Sequence, residues 1–146
     1  MAESFAYHTD LEWFNNIRNS GLKNGINFWV TDRKLNLFSG ELFFMKNHKR
    51  FIGMGTVDHV ENGVKIEDAW NRFGIGNGSH GLNSMIQRIK EVLGDESADK
   101  NYPITCIILN DFAPITEVSF DEANITYFQT NKRLSPEETD RLLRLI

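Results

Sequence analysis

The segment Leu42-Phe-Phe-Met-Lys-Asn-His-Lys-Arg-Phe-Ile-Gly-Met-Gly-Thr-Val57 decides how this chain is read. Two apolar, β-prone runs, Leu42–Met45 and Phe51–Val57, flank the short polar stretch Lys46–Arg50, which is the pattern of a hairpin with a basic turn. Gly53 and Gly55 alternate with apolar residues on the second run, where glycine marks a close backbone approach or a strongly bent strand.

Upstream, Ile26-Asn-Phe-Trp-Val-Thr31 is rich in β-formers and predicts an earlier strand. Before it, Thr9-Asp-Leu-Glu12 has the form of a capping box, and Leu11, Phe14 and Ile17 follow at helical spacing, so a helix is expected to end near Gly21. Downstream, Asn62-Gly63 predicts a turn with a short strand over 64–66. A brief helical segment over 67–74 holds Trp70 and Phe73. A helix from Ser79 carries Leu82, Met85, Ile86, Ile89, Val92 and Leu93 on one face and stops at Gly94. Further strands are expected at 104–109, 116–118 (after an interruption at Pro114) and 125–128. Ser135-Pro-Glu-Glu138 supplies a cap, a first-turn proline and early acids for a final helix. No repeat or linker divides 1–146, so a single domain is expected; the last helix is still amphipathic at Ile146, as in a piece of a longer protein.

Composition limits the function classes. The one cysteine, Cys106, lies in an apolar run and reads as a buried thiol, which excludes an internal disulfide or a metal framework. The N-terminus lacks a basic region followed by an apolar one, and no apolar stretch is long enough to span a bilayer, so a cytoplasmic protein without membrane contact is expected. The net charge of −4 argues against wholesale electrostatic binding of nucleic acid. Its distribution is uneven: residues 18–50 carry Arg18, Lys23, Arg33, Lys34, Lys46, Lys49 and Arg50 against only Asp32 and Glu41. That segment is either a phosphate-facing surface or a solvated face.

No catalytic set emerges. His8, His48, His59 and His80 are scattered without metal-ligand spacing, and neither a G-x-S-x-G elbow nor a P-loop is present. Asp58 and Glu61 resemble a nuclease carboxylate pair but read far more readily as exposed charges flanking a hairpin. Gly76-Asn-Gly-Ser-His-Gly81 matches G-x-G-x-x-G in letters, yet no strand precedes it as a dinucleotide fingerprint requires. It reads as a loop whose free N–H groups are able to hold a phosphate. No metal, cofactor or catalytic residue is therefore expected. Trp13, Trp29 and Trp70 read either as core or as the walls of an aromatic slot that stacks on a flipped base.

The succession Asn27-Phe-Trp-Val-Thr31, Ser39-Gly-Glu-Leu-Phe-Phe44, Arg50-Phe-Ile-Gly-Met-Gly-Thr-Val57 and Asp111-Phe-Ala-Pro114 resembles the EVE domains of the PUA-like superfamily, whose relatives include YTH and ASCH domains. Ala69-Trp-Asn-Arg-Phe-Gly-Ile-Gly-Asn-Gly78, with Tyr127-Phe-Gln129 and Lys132-Arg-Leu-Ser135, is similar to specificity domains fused to HNH-type or other restriction nucleases. The resemblance implies an α+β fold: a twisted β-barrel of five or six strands with flanking helices. It implies a cage for a flipped methylated or hydroxymethylated base, bordered by Trp29, Thr31 and Asp32, with Trp13 or Trp70 as a stacking wall. The implied phosphate contacts are Arg33, Lys34, Lys46, His48, Lys49 and Arg50. The expected partner is modified double-stranded DNA read by the specificity domain of a modification-dependent restriction endonuclease, with the nuclease covalently linked. A module reading a modified base in RNA and a non-catalytic protein-interaction domain are the alternatives. Where EVE sequences carry Lys-x-Glu-Pro, this chain has Thr31-Asp-Arg-Lys34, which leaves the base identity open. Asp32 there suits acceptance from an exocyclic amine.

Overall fold

In the computed structural model, which describes residues 3–146, the hairpin forms from β3 (Leu42–Asn47) and β4 (Arg50–Lys65), joined by the two-residue turn His48-Lys49. Beyond β4 the sheet adds β5 (Pro103–Ser119) and then β2 (Ile26–Thr31), both antiparallel. On the other side β3 pairs in parallel with β1 (Ser4–His8), which in turn pairs antiparallel with β6 (Asn131–Leu134). The order is β2-β5-β4-β3-β1-β6. The fold is α+β as expected, but β2 and β6 remain edges, so the barrel is an open, bent six-stranded sheet.

Alternation along the strands explains the layering. Phe5 and Tyr7 of β1, Phe43 and Met45 of β3, and Ile52 of β4 enter one apolar cluster. Their neighbours Ala6, Phe44 and Phe51 enter the opposite one. Successive side chains of a strand point to opposite faces, so both faces of the central strands need cover. Helices α1 (Leu11–Ser20), α2 (Ile66–Phe73) and α3 (Leu82–Leu93) supply residues to the first face, including Trp13, Ala69 and Met85. Helices α4 (Phe120–Ala123) and α5 (Pro136–Leu145) cover the second, where Phe51 stacks on Phe120 at 4.5 Å. Each fully buried phenylalanine contributes about 1.5–3 kcal/mol relative to exposure, so the two clusters carry most of the stability.

Local differences from the sequence expectations have specific causes. Asp10, not Thr9, caps α1, its carboxylate accepting the Trp13 N–H at 3.3 Å. Asn62-Gly63 is not a hairpin turn: β4 runs through it, and the register shifts between Glu61 and Val64 while Gly63 takes φ +64. An Asn-Gly pair suits a bulge as well as a turn, since both need a left-handed residue. Pro114 likewise does not interrupt the chain; it sits inside β5 opposite Gly53, beside another register shift, where its missing N–H costs no regular ladder bond. Residues 125–128 form no strand; the edge strand is instead Asn131–Leu134, and Ser135 opens α5 with a complete capping box.

Candidate functional site

A cavity of about 710 Å³ opens where β1, α1, β2 and the β3–β4 turn converge. Tyr7 and His8 at the end of β1, Trp13 of α1, and Phe28, Trp29 and Thr31 of β2 form its inner walls. The exposed Arg33, His48, Tyr127, Gln129 and Thr130 stand at its mouth. The walls are held together by the backbone: Thr9 N–H donates to Lys46 O at 2.8 Å and His8 N–H to Thr130 O at 2.7 Å. Asn47 adds a side-chain N–H to Thr9 O at 3.0 Å. The volume lies within the range of about 300–1,000 Å³ usual for small-molecule sites.

Two indoles touch this space only at carbon edges: Trp13 and Trp29 are 3% and 6% exposed, belong to the apolar core, and use their N–H groups inside the protein. Trp13 Nε1 donates to Asn27 O at 3.2 Å and Trp29 Nε1 to Asn77 O at 3.0 Å. Asn77, fully buried in the short 3-10 turn Gly74–Asn77, accepts from Asn27 Nδ2 at 2.9 Å and donates to Ala69 O and Gly74 O. The adjoining Gly78 is obligatory: its φ is +76, and Trp13 lies directly where a side chain would project. The G-x-G string thus positions an indole from behind.

The residues that line the cavity include one cation, Arg33, and one carboxylate, Asp10. The Arg33 guanidinium lies 5.8 Å from the Tyr7 ring centroid and is exposed. Asp10 is satisfied by Arg88, whose Nε donates at 2.6 Å, as well as by its capping bond. Burial, then the neighbouring Lys46 and His48, push the His8 imidazole below its ordinary value, so it is neutral near pH 7. His48 meets His8 edge-on at 6.2 Å and occupies a left-handed conformation with φ +50, which holds its ring at the mouth.

The expected site residues divide. Trp13, Trp29, Thr31, Arg33 and His48 border the cavity. Asp32 does not: its carboxylate accepts the Gly63 N–H at 2.8 Å and the Thr105 hydroxyl at 3.2 Å, anchoring the β4 bulge. Trp70 packs against the apolar core from α2 without reaching the cavity. Lys34 and Arg50 are exposed outside it, and Lys49 borders a second, smaller cavity. Lys46 is completely buried and so cannot meet a phosphate directly, because its side chain turns into a box of Phe120, Tyr127 and Phe128. Tyr7 and His8 enter the cavity without any sequence signal, and Tyr127 and Gln129, quoted only within the family resemblance, do so from positions that no periodicity marks.

Elsewhere, Asp58 and Glu61 hold His59 between them, at 2.6 Å to Nδ1 and 2.7 Å to Nε2, and Arg72 pairs with Glu61. These hydrogen bonds raise the imidazole above its usual range and lower Glu61 to about 2. The carboxylates are engaged by His59, Arg72 and the Asn110 amide, and among the described residues no acid, histidine and cysteine cluster suits a metal. Burial pushes the Cys106 thiol up to about 11, so it is unreactive. No described helix is long and apolar enough to cross a membrane.

Six strands in this order with helices on both faces make an α+β fold that a solved ASCH protein shares. No family model matches the chain, and no curated protein matches its sequence. Among solved structures, a point mutant of ZmASCH from Zymomonas mobilis superposes with a TM-score of 0.67, covering 99% of this chain and 99% of that one at 17% identity. At that identity the likeness concerns the fold.

Proposed function

We propose that this chain is a nucleic-acid reader that takes an extruded, modified base into the indole-walled cavity, as an EVE-like specificity domain of a modification-dependent restriction endonuclease would. The observation that carries this reading is the pairing of two indole carbon edges, Trp13 and Trp29, with Arg33 and His48 at the mouth of one cavity. A ring held between apolar walls gains about 1–3 kcal/mol by stacking, while extruding it costs a few kcal/mol, so phosphate contacts must supply the remaining affinity. Because both indole N–H groups are occupied, polar groups of the base are read by Thr31, Gln129 or the neutral His8, which line the same cavity. A methyl or hydroxymethyl substituent adds apolar or short polar bulk that such walls favour over plain cytosine.

Binding to matched duplexes carrying cytosine, 5-methylcytosine, 5-hydroxymethylcytosine or N6-methyladenine, with RNA of equal sequence alongside, tests the proposal. One modified DNA duplex is expected to bind at least tenfold tighter than its plain counterpart. Arg33→Ala is expected to weaken all duplexes alike and flatten the salt dependence, whereas Trp29→Phe removes the preference for the modification. Equal affinity for all four duplexes refutes base reading, and stronger binding of RNA moves the assignment to an RNA module.

A further inference from the structure

Tyr127 borders two cavities at once: the indole-walled one and a second of about 350 Å³, which Lys49, Phe120 and Asp121 also line. The ring is supported from within the protein. Lys46 Nζ lies 4.7 Å from its centroid, and Phe120 packs against it at 5.4 Å. Even so, 47% of Tyr127 is exposed, which leaves ring surface open toward the cavities. Lys46 itself is the unusual group. It is fully buried, its ammonium donates to His48 O at 3.3 Å, and among the described residues no carboxylate lies within ion-pair distance. A buried cation without a counter-ion leaves its charge to be felt at the nearest surface, which here is the ridge between the cavities.

We propose that the two cavities are consecutive nucleotide subsites, with the extruded base in the first and its chain neighbour stacked on Tyr127 in the second. This rests on the base-reading function given above. The phosphodiester between the two nucleotides crosses the ridge over Lys46, with Lys49 and His48 on its flank. Asp121 also lines the second cavity, where its carboxylate repels a phosphate and so keeps the phosphodiester out of that space. The aromatic side, Phe120 and Tyr127, is left for the ring. A volume of about 350 Å³ falls at the small end of ligand cavities, adequate for one base but not for a longer segment. The ligand is therefore a two-nucleotide step, and sequence context beside the modified base is read by stacking.

The test uses the whole chain and tryptophan-fluorescence titration, with the base that binds tightest among the four duplexes above. Five probes are compared: its 5′-mononucleotide, and dinucleotides bearing either adenine or an abasic sugar on the 5′ or the 3′ side. On one side, adenine is expected to bind roughly 5- to 100-fold tighter than the abasic neighbour, the effect of one stacked base. Tyr127→Phe keeps that gain and Tyr127→Ala abolishes it. Lys49→Ala weakens the dinucleotides and reduces their salt dependence. Equal affinity of adenine and abasic probes on both sides, with the mononucleotide still bound, overturns the second subsite and leaves base reading intact. Retention of the gain in Tyr127→Ala overturns it as well. If no probe binds, the base-reading function falls and this inference with it.

Discussion

Gly78→Ala is the substitution that most sharply tests the link between backbone geometry and the cavity wall. Gly78 and Gly21 both have φ +76, yet a Cβ at Gly21 meets nothing within 4 Å, while at Gly78 it overlaps Trp13 Cδ1 and lies 2.7 Å from Cγ and Nε1. The pair therefore separates conformational strain from steric overlap. Left-handed backbone costs a non-glycine residue about 1–2 kcal/mol, partly offset by about 0.4–1 kcal/mol from the stiffer unfolded chain, so Gly21→Ala is expected to lose about 0.5–1 kcal/mol. Trp13 cannot retreat freely, because its N–H is tied to Asn27 O and its ring packs edge-on against Phe28 and Phe112. Overpacking of this kind adds about 1–3 kcal/mol, which brings Gly78→Ala to about 2–4 kcal/mol. For a chain of this length that lowers Tm by roughly 5–12 °C, against roughly 1–4 °C for Gly21→Ala. Thermal and urea unfolding followed by tryptophan fluorescence measures both. If Gly78→Ala is no worse than Gly21→Ala, Trp13 does not press on the 3-10 turn and the account of the wall is wrong.

The histidines are expected to titrate apart in NMR: His8 below the ordinary imidazole value, because it is buried beside Lys46 and His48, and His59 above it, because Glu61 and Asp58 accept its protons. The His59 contribution to stability is then complete below about pH 6.5 and lost as pH rises through its raised value, whereas that of Glu61 is present above its ordinary value of 4.5 and lost as pH falls toward 2. Both groups are partly exposed, so His59→Gln should flatten the His59 slope by under about 1 kcal/mol in pH-dependent urea unfolding and largely keep the Glu61 slope, which Arg72 dominates; a larger change would contradict solvent screening. Asn77→Ala deprives Asn27 Nδ2, Ala69 O and Gly74 O of partners in a buried setting, with an expected loss of roughly 2–4 kcal/mol by urea midpoint. A loss below about 1 kcal/mol would show that water replaces those bonds. Lys46→Met removes a buried, unpaired charge while filling the same space, so stability is expected to stay within about 1 kcal/mol or to rise. A fall of several kcal/mol would mean that the cation holds the aromatic box together.

The chain's local chemistry determined much by itself. Gly21 and Gly94 end helices where a left-handed residue is needed, Ser135-Pro-Glu-Glu138 starts one, and the alternation across Leu42–Val57 makes a hairpin; each signal lies within a few residues and acts through sterics or short-range hydrogen bonds. Where the same letters suit two local geometries, only tertiary pairing chose between them. Asn62-Gly63 became a bulge because β5 continues alongside and Asp32, thirty-one positions earlier, accepts the Gly63 N–H. Basic residues adjacent in sequence were separated by strand alternation and burial: Lys46 turned inward while Lys49 stayed at the surface. The cavity was the least legible part, because its walls come from β1, α1, β2 and the 127–130 segment, which meet only when β1 docks in parallel beside β3 and β6 pairs back onto it. Parallel docking joins distant segments through backbone bonds that any side chain allows, so it leaves no pattern of residue types to read.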